Sequence, residues 1–318
     1  MVSHSNKDMN HNLSRRHFIK SSSCLLIPSF SQGREKKAAL AMGFGTYGLP
    51  GYSVPEAIRL VAKTGFDSIE LAAMPGYHGS PEKLTKPARI EVRKLIEESG
   101  IKLGALMGFP RPDPSKMREN KDRMEKLLEL NLDLSGKKEP PLIQSVLGGG
   151  RWDEKKTVFR DCLGPLVELA SKAGTQLSIK PHRSHAMSRP EQAVWLIEQL
   201  NAKGKLSLTF DYSHFAFREM AVEKTVAIAL PHTGYVVVKD AVRQKNGEID
   251  FLLPGTAGGF PHAQVLKAFS QGGYHGEVCC EISSMVWRKK GYDPQAATKT
   301  CFRNMKRMFA EAEIQRKP

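Results

Sequence analysis

Ionisable side chains stand where three short apolar segments of this sequence end. Lys180 follows "LSI" in the stretch "LSIKPHRSH", Asp211 ends "LTFD", and Glu281 ends "VCCE". An ammonium group can polarise a carbonyl oxygen, and a carboxylate can remove a proton from the neighbouring carbon. Because burying an unpaired charge is costly, such groups at the ends of apolar strands indicate either an ion-pair cluster or a site of chemistry.

The elements that must position these groups alternate regularly along residues 42–314. The stretch "SVPEAIRLVAKTG" is typical of the predicted helices, with Ser53 as N-cap, Pro55 in the first turn and Gly65 at the end. Helices of this kind separate eight apolar strands. We predict these strands at "MGFGTYG", "SIELAAM", "KLGALMG", "LIQSVLGG", "QLSIK", "LSLTFD", "YVVVKD" and "EVCCEIS".

Strands separated by helices pair in parallel through right-handed crossovers, and eight such units predict a (β/α)8 TIM barrel in a single α/β domain. A doubly wound open sheet is the alternative. Its usual phosphate loop has a counterpart in the glycines of "GFGTYG", but no acidic residue ends the second strand in the required place. The pattern therefore favours the barrel.

In a barrel, the chemistry lies at the C-terminal ends of the strands and in the loops that follow. Strands five, six and eight therefore direct Lys180, Asp211 and Glu281 toward one mouth. Strand seven ends at Lys239, which we expect to contact substrate or Asp211. His182 begins the loop after strand five, where contact with a ligand is favoured over a purely surface position.

Four segments resemble the xylose-isomerase-like barrel superfamily, which contains sugar and sugar phosphate isomerases and epimerases. They are "GFDSIEL" (65–71), "LTFDYSHF" (208–215), "VVVKDA" (236–241) and "GYHGEVCCEIS" (273–283). The resemblance covers nearly all of residues 42–314. It implies a protein that binds a small-molecule sugar or sugar derivative and moves protons next to a carbonyl.

The resemblance also implies a metal site. In this superfamily a divalent metal, often manganese, is held by Glu, Asp, His and Glu on strands five to eight. The Asp and the last Glu match Asp211 and Glu281, but Lys180 and Val237 replace the first Glu and the His. An ammonium group ~4 Å from a divalent ion is repelled by roughly 8 kcal/mol at an effective dielectric constant of 20. We therefore predict a degenerate metal site and no required cofactor; Mn, Mg or Zn is the alternative.

Three further residues and one loop are candidates. His214, in the Asp-x-x-His segment, either donates or relays a proton or caps the following helix. Trp287, just beyond strand eight, is placed to stack on a sugar ring. Glu70 is expected to be a structural acceptor inside the barrel. The loop "PGTAGG" (254–259) either binds hydroxyls or a phosphate through its backbone amides or is a plain connection.

These residues favour an isomerase, epimerase or eliminating lyase with a catalytic set of Lys180, Asp211, Glu281 and His214. Lys180 would polarise a sugar carbonyl, Glu281 would act as base, and His214 or His182 would donate or relay a proton. Imine formation by Lys180 is disfavoured because neighbouring carboxylates keep its amine protonated.

Two alternatives come from other functional classes. The loss of two metal ligands favours a non-catalytic, periplasmic sugar-binding protein. An apurinic endonuclease shares the barrel, but Lys180 and Val237 remove two ligands of the multi-zinc site that such enzymes require. We therefore disfavour the endonuclease.

The N-terminal residues resemble a twin-arginine export signal. In "SRRHFIK" the pair Arg15 and Arg16 precedes Phe18, Ile19 and Lys20, and a short apolar stretch follows. We therefore predict a leader over residues 1–37, a barrel over residues 38–318, and export to the periplasm. The alternative for the leader is a disordered basic tail.

Composition limits the other partners. The formal net charge is +15, but the basic residues are scattered and form no stripe interleaved with aromatics, so we predict no nucleic-acid partner. No apolar run approaches the ~20 residues of a membrane-spanning helix, so we predict no integral membrane segment. A monomer and a homo-oligomer are both compatible with the sequence.

Overall fold

A computed structural model describes residues 39–136 and 138–317 of the chain. The predicted leader, residues 1–37, lies outside these ranges, so its export role stays a prediction. Among the described residues, no helix combines the length and the apolar character needed to cross a membrane.

Eight parallel strands close into a barrel, which confirms the predicted fold. Each barrel strand pairs with its neighbour in chain order, and the eighth pairs with both the seventh and the first to complete the ring. The barrel strands are β1 (Ala39–Gly45), β2 (Ser68–Ala72), β3 (Lys102–Met107), β4 (Leu142–Ser145), β5 (Leu177–Ile179), β6 (Leu206–Asp211), β7 (Thr233–Val238) and β10 (Glu277–Cys280).

Helices connect these strands and pack around the barrel. Their ends follow local sequence signals: Ser53 caps the first helix in a capping box with Glu56, and Gly65 ends it with a φ of 105°. The helices are α1 (Val54–Thr64), α2 (Lys86–Glu98), α3 (Met117–Ser135), α4 (Trp152–Lys172), α5 (Pro190–Gln199), α6 (Val222–Ala229), α7 (His262–Gln271), α8 (Ser284–Trp287) and α9 (Pro294–Glu311).

The loop after β7 contains a hairpin that the strand pattern did not predict. Strands β8 (Asp240–Arg243) and β9 (Ile249–Leu252) pair antiparallel around a tip that contains Asn246 and Gly247, the latter with a φ of 86°. An Asn-Gly pair between alternating apolar residues is a strong hairpin signal. A short strand, β11 (Gln315–Arg316), also pairs with the start of β1.

The barrel interior changes from apolar to charged toward the C-terminal ends of the strands. Alternate residues of a strand face the interior. Val237 packs there with Ala105, Tyr235 and Cys279, and it is in register with Asp211 of β6 and Cys279 of β10. Two residues farther along, β7 and β10 lead to Lys239 and Glu281. The strand geometry therefore gathers the predicted site residues at one end.

Candidate active site

Two lysines and two carboxylates form a buried cluster at the mouth of the barrel. Lys180 Nζ lies 2.6 Å from Glu281 Oε2 and 3.5 Å from Asp211 Oδ2. Lys239 Nζ lies 2.5 Å from Glu281 Oε1 and 3.1 Å from Asp211 Oδ2. All four residues are at most 4% exposed. Lys180 thus faces the carboxylates at the ends of β6 and β10 rather than solvent.

The two lysines balance the charges of the two carboxylates. Each ammonium group contacts both acids, so the lysine–carboxylate cluster (Lys180, Asp211, Lys239 and Glu281) has a formal charge of zero. A buried ion pair is tolerated only when its partners neutralise one another and their hydrogen bonds are filled. Lys239 contacts Asp211, one of the two partners expected from the sequence, and it also binds Glu281, which the sequence analysis did not predict.

The cluster fixes its own protonation states. Burial disfavours the charged form of Lys180, but Glu281 and Asp211 outweigh burial and raise the pKa of the ammonium group. Burial also acts against ionised Glu281, but Lys180 and Lys239 lower the pKa of this carboxyl well below its usual range. Lys180 is therefore a cation at neutral pH, which disfavours imine chemistry at its nitrogen.

Asp211 is oriented from the opposite side by the turn that follows β6. Its Oδ1 accepts hydrogen bonds from Ser213 N at 3.1 Å and from Ser213 Oγ at 2.5 Å. These bonds leave Oδ2 to the two lysines. His214, in the same turn, places Nε2 at 3.4 Å from Asp211 Oδ2 without forming a hydrogen bond.

His214 and His182 stack beside the cluster as neutral rings. Their ring centroids are 4.0 Å apart, and the ring of His185 lies 4.5 Å from that of His182. Burial, reinforced by the positive charge of Lys239, lowers the pKa of His182 to about 2 and that of His214 well below its usual value. These imidazoles can therefore donate or accept a hydrogen bond at neutral pH without carrying a charge.

Phe251 of the hairpin borders the cluster and was not predicted from the sequence. Lys239 Nζ lies 4.9 Å from the centre of the Phe251 ring, and the ring meets His214 edge to face at 5.4 Å. An aromatic face near an ammonium group stabilises its charge. The sequence signal for this contact was the Asn-Gly pair at the hairpin tip. It predicts a hairpin directly after β7, and this hairpin contains β9.

The ring of Trp287 packs outside the lysine–carboxylate cluster. Trp287 is the last residue of α8, and its ring packs edge to face against Tyr47 at a centroid distance of 5.7 Å. With Tyr77 and His78 it lines a cleft of about 570 Å³ between the loops that follow β1, β2 and β10. A stacking role for Trp287 stays a prediction, and this cleft is where it would apply.

The loop 254–259 binds the side chain of Asp240, the first residue of β8 in the hairpin. Gly255 N and Ala257 N donate to the Asp240 carboxylate at 2.8 Å and 2.6 Å, and His262 bonds to the same carboxylate. These interactions lower the pKa of Asp240 despite its burial. Two backbone amides that the sequence analysis considered as donors to a ligand therefore bind Asp240 instead and hold the loop against β8.

Glu70 lies inside the barrel, near the lysine–carboxylate cluster. Its carboxyl accepts a short hydrogen bond from Gln144 Nε2, and its other oxygen has no hydrogen-bond partner among the residues that the structure describes. Burial, with the nearby negative charge of Glu281, raises the pKa of Glu70 to about 8. Glu70 is thus a buried, neutral group at pH 7, in keeping with the structural role expected from the sequence.

The raised pKa of Glu70 makes stability depend on pH. An unfolded glutamate ionises near 4.5, whereas Glu70 in the fold ionises near 8, so the folded state holds one more proton between these values. The free energy of unfolding therefore decreases as pH rises through this window, by up to about 1.4 kcal/mol per pH unit. We expect Glu70→Gln to remove this decrease, measured by urea unfolding at pH 5, 7 and 9. Parallel pH profiles for variant and wild type would contradict the assignment.

The donor set of the cluster does not suit a divalent metal. Ammonium groups contact both oxygens of Glu281 and Oδ2 of Asp211, which are the two candidate metal ligands. Val237, the residue that the sequence resemblance aligns with a metal-binding histidine, has no donor atom and packs in an apolar layer. In the part of the chain that the structure describes, no three His, Cys, Asp or Glu side chains are arranged to hold a metal.

Structures of known proteins share this fold at low sequence identity. The zinc-bound IolI protein is 16% identical, with a TM-score of 0.70, and the match covers 86% of this chain and 99% of that one. The apo form of 3-keto-D-glucoside 4-epimerase from E. coli is 18% identical, with a TM-score of 0.66, and the match covers 84% and 99%. At such identities the likeness establishes the fold alone.

A third similar structure is a fusion of a xylose isomerase-like TIM barrel with 4-hydroxyphenylpyruvate dioxygenase. It is 19% identical, with a TM-score of 0.69, over 86% of this chain, which spans 44% of the fusion protein. No curated protein matches the sequence significantly. Residues 58–307 match the xylose isomerase-like TIM barrel family. The chain therefore belongs to the xylose isomerase-like TIM barrel family.

Proposed function

We propose that this barrel binds a keto-sugar at its mouth and moves a proton next to the carbonyl, with Lys180 and Lys239 in place of the family's divalent metal. The observation that carries the proposal is the pair of ammonium groups between Asp211 and Glu281, at distances of 2.5 to 3.5 Å. The fold of 3-keto-D-glucoside 4-epimerase supports a keto-sugar as the substrate class.

The chemistry follows from what a sugar oxygen does to the cluster. A carbonyl oxygen that accepts a hydrogen bond from Lys180 draws this ammonium group away from Glu281. The loss of one cationic partner raises the basicity of Glu281, which then takes the proton from the carbon beside the carbonyl. Lys180 stabilises the negative charge that develops on the oxygen.

The removed proton must return for the reaction to finish. Its return to the opposite face of the same carbon gives an epimer, whereas a proton shift between neighbouring carbons gives an isomer. Both imidazoles are neutral; His214 lies beside Asp211 and His182 lies against His214, so they are the residues proposed to relay a proton to the sugar oxygen. No external oxidant or reductant is needed.

A non-catalytic sugar-binding protein is the second candidate. Both Glu281 oxygens hold an ammonium group within 2.6 Å, and the lowered pKa of this carboxyl makes it a weak base before any ligand enters. A protein that only binds sugar needs no such base. The two candidates differ in a single observable, which is the exchange of a carbon-bound proton.

Solvent exchange tests the proposal directly. The protein, treated with EDTA, is incubated in D2O with ketoses and 3-keto-glucosides, and deuterium incorporation beside the carbonyl is followed by NMR. We expect incorporation at a rate that added manganese does not increase. Binding without incorporation would favour the second candidate, and incorporation that requires added metal would contradict the role of the lysines.

We also propose export through the twin-arginine pathway, from the motif at Arg15 and Arg16. Residues 1–37 fused to a folded fluorescent protein should deliver it to the periplasm of a bacterial host. Replacement of both arginines with lysine should keep the fluorescence in the cytoplasm. Equal distributions for the two fusions would contradict the proposal.

A further inference from the structure

Three arginines form one basic surface beside the barrel mouth. Arg183 lies in the loop after β5, Arg218 in the loop after β6, and Arg243 at the end of β8. Arg218 Nη2 donates to the carbonyl oxygen of Arg183 at 2.6 Å, and Arg243 Nη2 donates to that of Phe217 at 2.9 Å. These bonds join three loops into one unit, which we call the arginine rim (Arg183, Arg218 and Arg243).

The arginine rim adjoins the lysine–carboxylate cluster. Arg183 Nη1 donates to the carbonyl oxygen of Ser213 at 3.1 Å, and Ser213 is the residue that orients Asp211. The positive charge of Arg183 is also among the causes that lower the pKa of buried His214. A ligand of sugar size that contacts Asp211 is therefore within reach of the rim.

The guanidinium groups of the rim bond to neutral acceptors in the described part of the chain. Their hydrogen bonds go to backbone carbonyl oxygens and to Ser188 Oγ. Within residues 39–136 and 138–317, none of the three forms an ion pair, whereas Arg89 and Arg316 pair with aspartates elsewhere in the fold. Burial and the charges of Arg218 and Arg243 lower the pKa of Arg183, so the three cations are close enough to repel one another.

The loop that presents Arg218 is also strained. Phe217 and Glu219 flank it with φ angles of 64° and 56°, in the left-handed region that residues other than glycine seldom adopt. Phe217 additionally supports Arg243, whose guanidinium lies 5.4 Å from the ring centre. Strain of this kind persists where the surrounding contacts enforce it and is enriched at binding sites.

We propose that the arginine rim binds a carboxylate or phosphate group of the sugar whose carbonyl lies at the lysine–carboxylate cluster. This inference rests on the proposed function and narrows its substrate class to anionic keto-sugars. The cluster is neutral overall and cannot itself select an anion. Guanidinium groups with free donors match the oxygens of carboxylates and phosphates.

The test compares three ketoses that differ at one end. D-fructose, D-fructose 6-phosphate and D-fructuronate are titrated into the full chain by calorimetry, with inorganic phosphate as a fourth probe. We expect at least one charged ketose to bind about ten- to a hundred-fold more tightly than fructose. The phosphate and carboxylate arms identify which anion the rim prefers.

Variants assign any preference to the rim. Arg218→Gln should remove most of the preference, and Arg183→Gln should reduce it. Arg303→Gln on the exposed face of α9 is the matched control and should leave it unchanged. Equal affinity for the three ketoses, a preference that survives both rim variants, or no binding of charged probes would overturn the inference.

The inference and the proposed function fail in different ways. Proton exchange on a neutral keto-sugar, without an anion preference, would keep the proposed function and refute the rim. An anion preference that depends on Arg218, without any proton exchange, would keep the rim and support a binding protein.

Discussion

Replacement of Lys180 with methionine is expected to destabilise the protein by about 3–5 kcal/mol. Methionine has a side chain of similar length but no charge, so the substitution removes one of the two cations that face Glu281 and Asp211. Two buried carboxylates would then share Lys239 alone, and the site would carry an uncompensated negative charge. Urea unfolding at pH 7, with the free energy extrapolated to water, measures the effect.

Two controls separate this effect from a general loss of lysine. Lys86 forms a pair with Glu129 on the surface, where the two side chains are 74% and 46% exposed, and Lys86→Met should cost less than about 1 kcal/mol. Adding Glu281→Gln to Lys180→Met removes the excess charge and should restore part of the stability. A Lys180→Met variant as stable as wild type would mean that its Nζ does not neutralise the carboxylates.

Glu281→Gln is expected to slow proton exchange on a competent keto-sugar by about 10²- to 10⁴-fold, the usual contribution of a general base. The amide keeps the shape of the side chain but cannot accept the proton. Sugar affinity should change much less, because Lys180 still donates to the carbonyl oxygen. Deuterium incorporation and calorimetric titration on the same preparation separate the two quantities.

Glu277 supplies the matched control for this variant. It lies at the other end of the same strand, where its carboxylate bonds to Ser68 Oγ at 2.6 Å, far along β10 from the mouth. Glu277→Gln should leave the exchange rate within a few-fold of wild type. If both variants exchange at the wild-type rate, the base is not Glu281.

The fold could be predicted because its signals are local and repeated. Caps such as Ser53 and Gly65 bounded the first helix, and apolar runs marked the barrel strands. The exact strand ends were harder to predict. The apolar pattern favoured a strand from Met42 through Gly48, whereas β1 begins at Ala39 and a 3₁₀ turn begins at Thr46. Pairing with β11 sets the start of β1 at Ala39, and pairing with β2 extends to its end at Gly45.

The sequence predicted that Lys180, Asp211 and Glu281 lie together at one end of the barrel, but it did not predict how they pair. Strand ends identified Lys180, Asp211, Lys239 and Glu281, because charged residues are rare after apolar strands. That Lys239 binds Glu281 at 2.5 Å depends on the register of β7 against β10, which sequence spacing does not specify. Phe251 lies in a hairpin inserted after β7. The arginine rim depends on loop conformations, which no periodic sequence pattern predicts.

The metal content of the purified protein tests most directly the claim that ammonium groups take the place of the family's metal. Protein prepared without chelators is analysed for bound metals and then titrated with manganese and zinc while its thermal stability is followed. We predict substoichiometric metal and no increase in melting temperature. A stoichiometric metal, or clear stabilisation by either ion that Glu281→Gln abolishes, would contradict the ammonium substitution and restore a metal-dependent site.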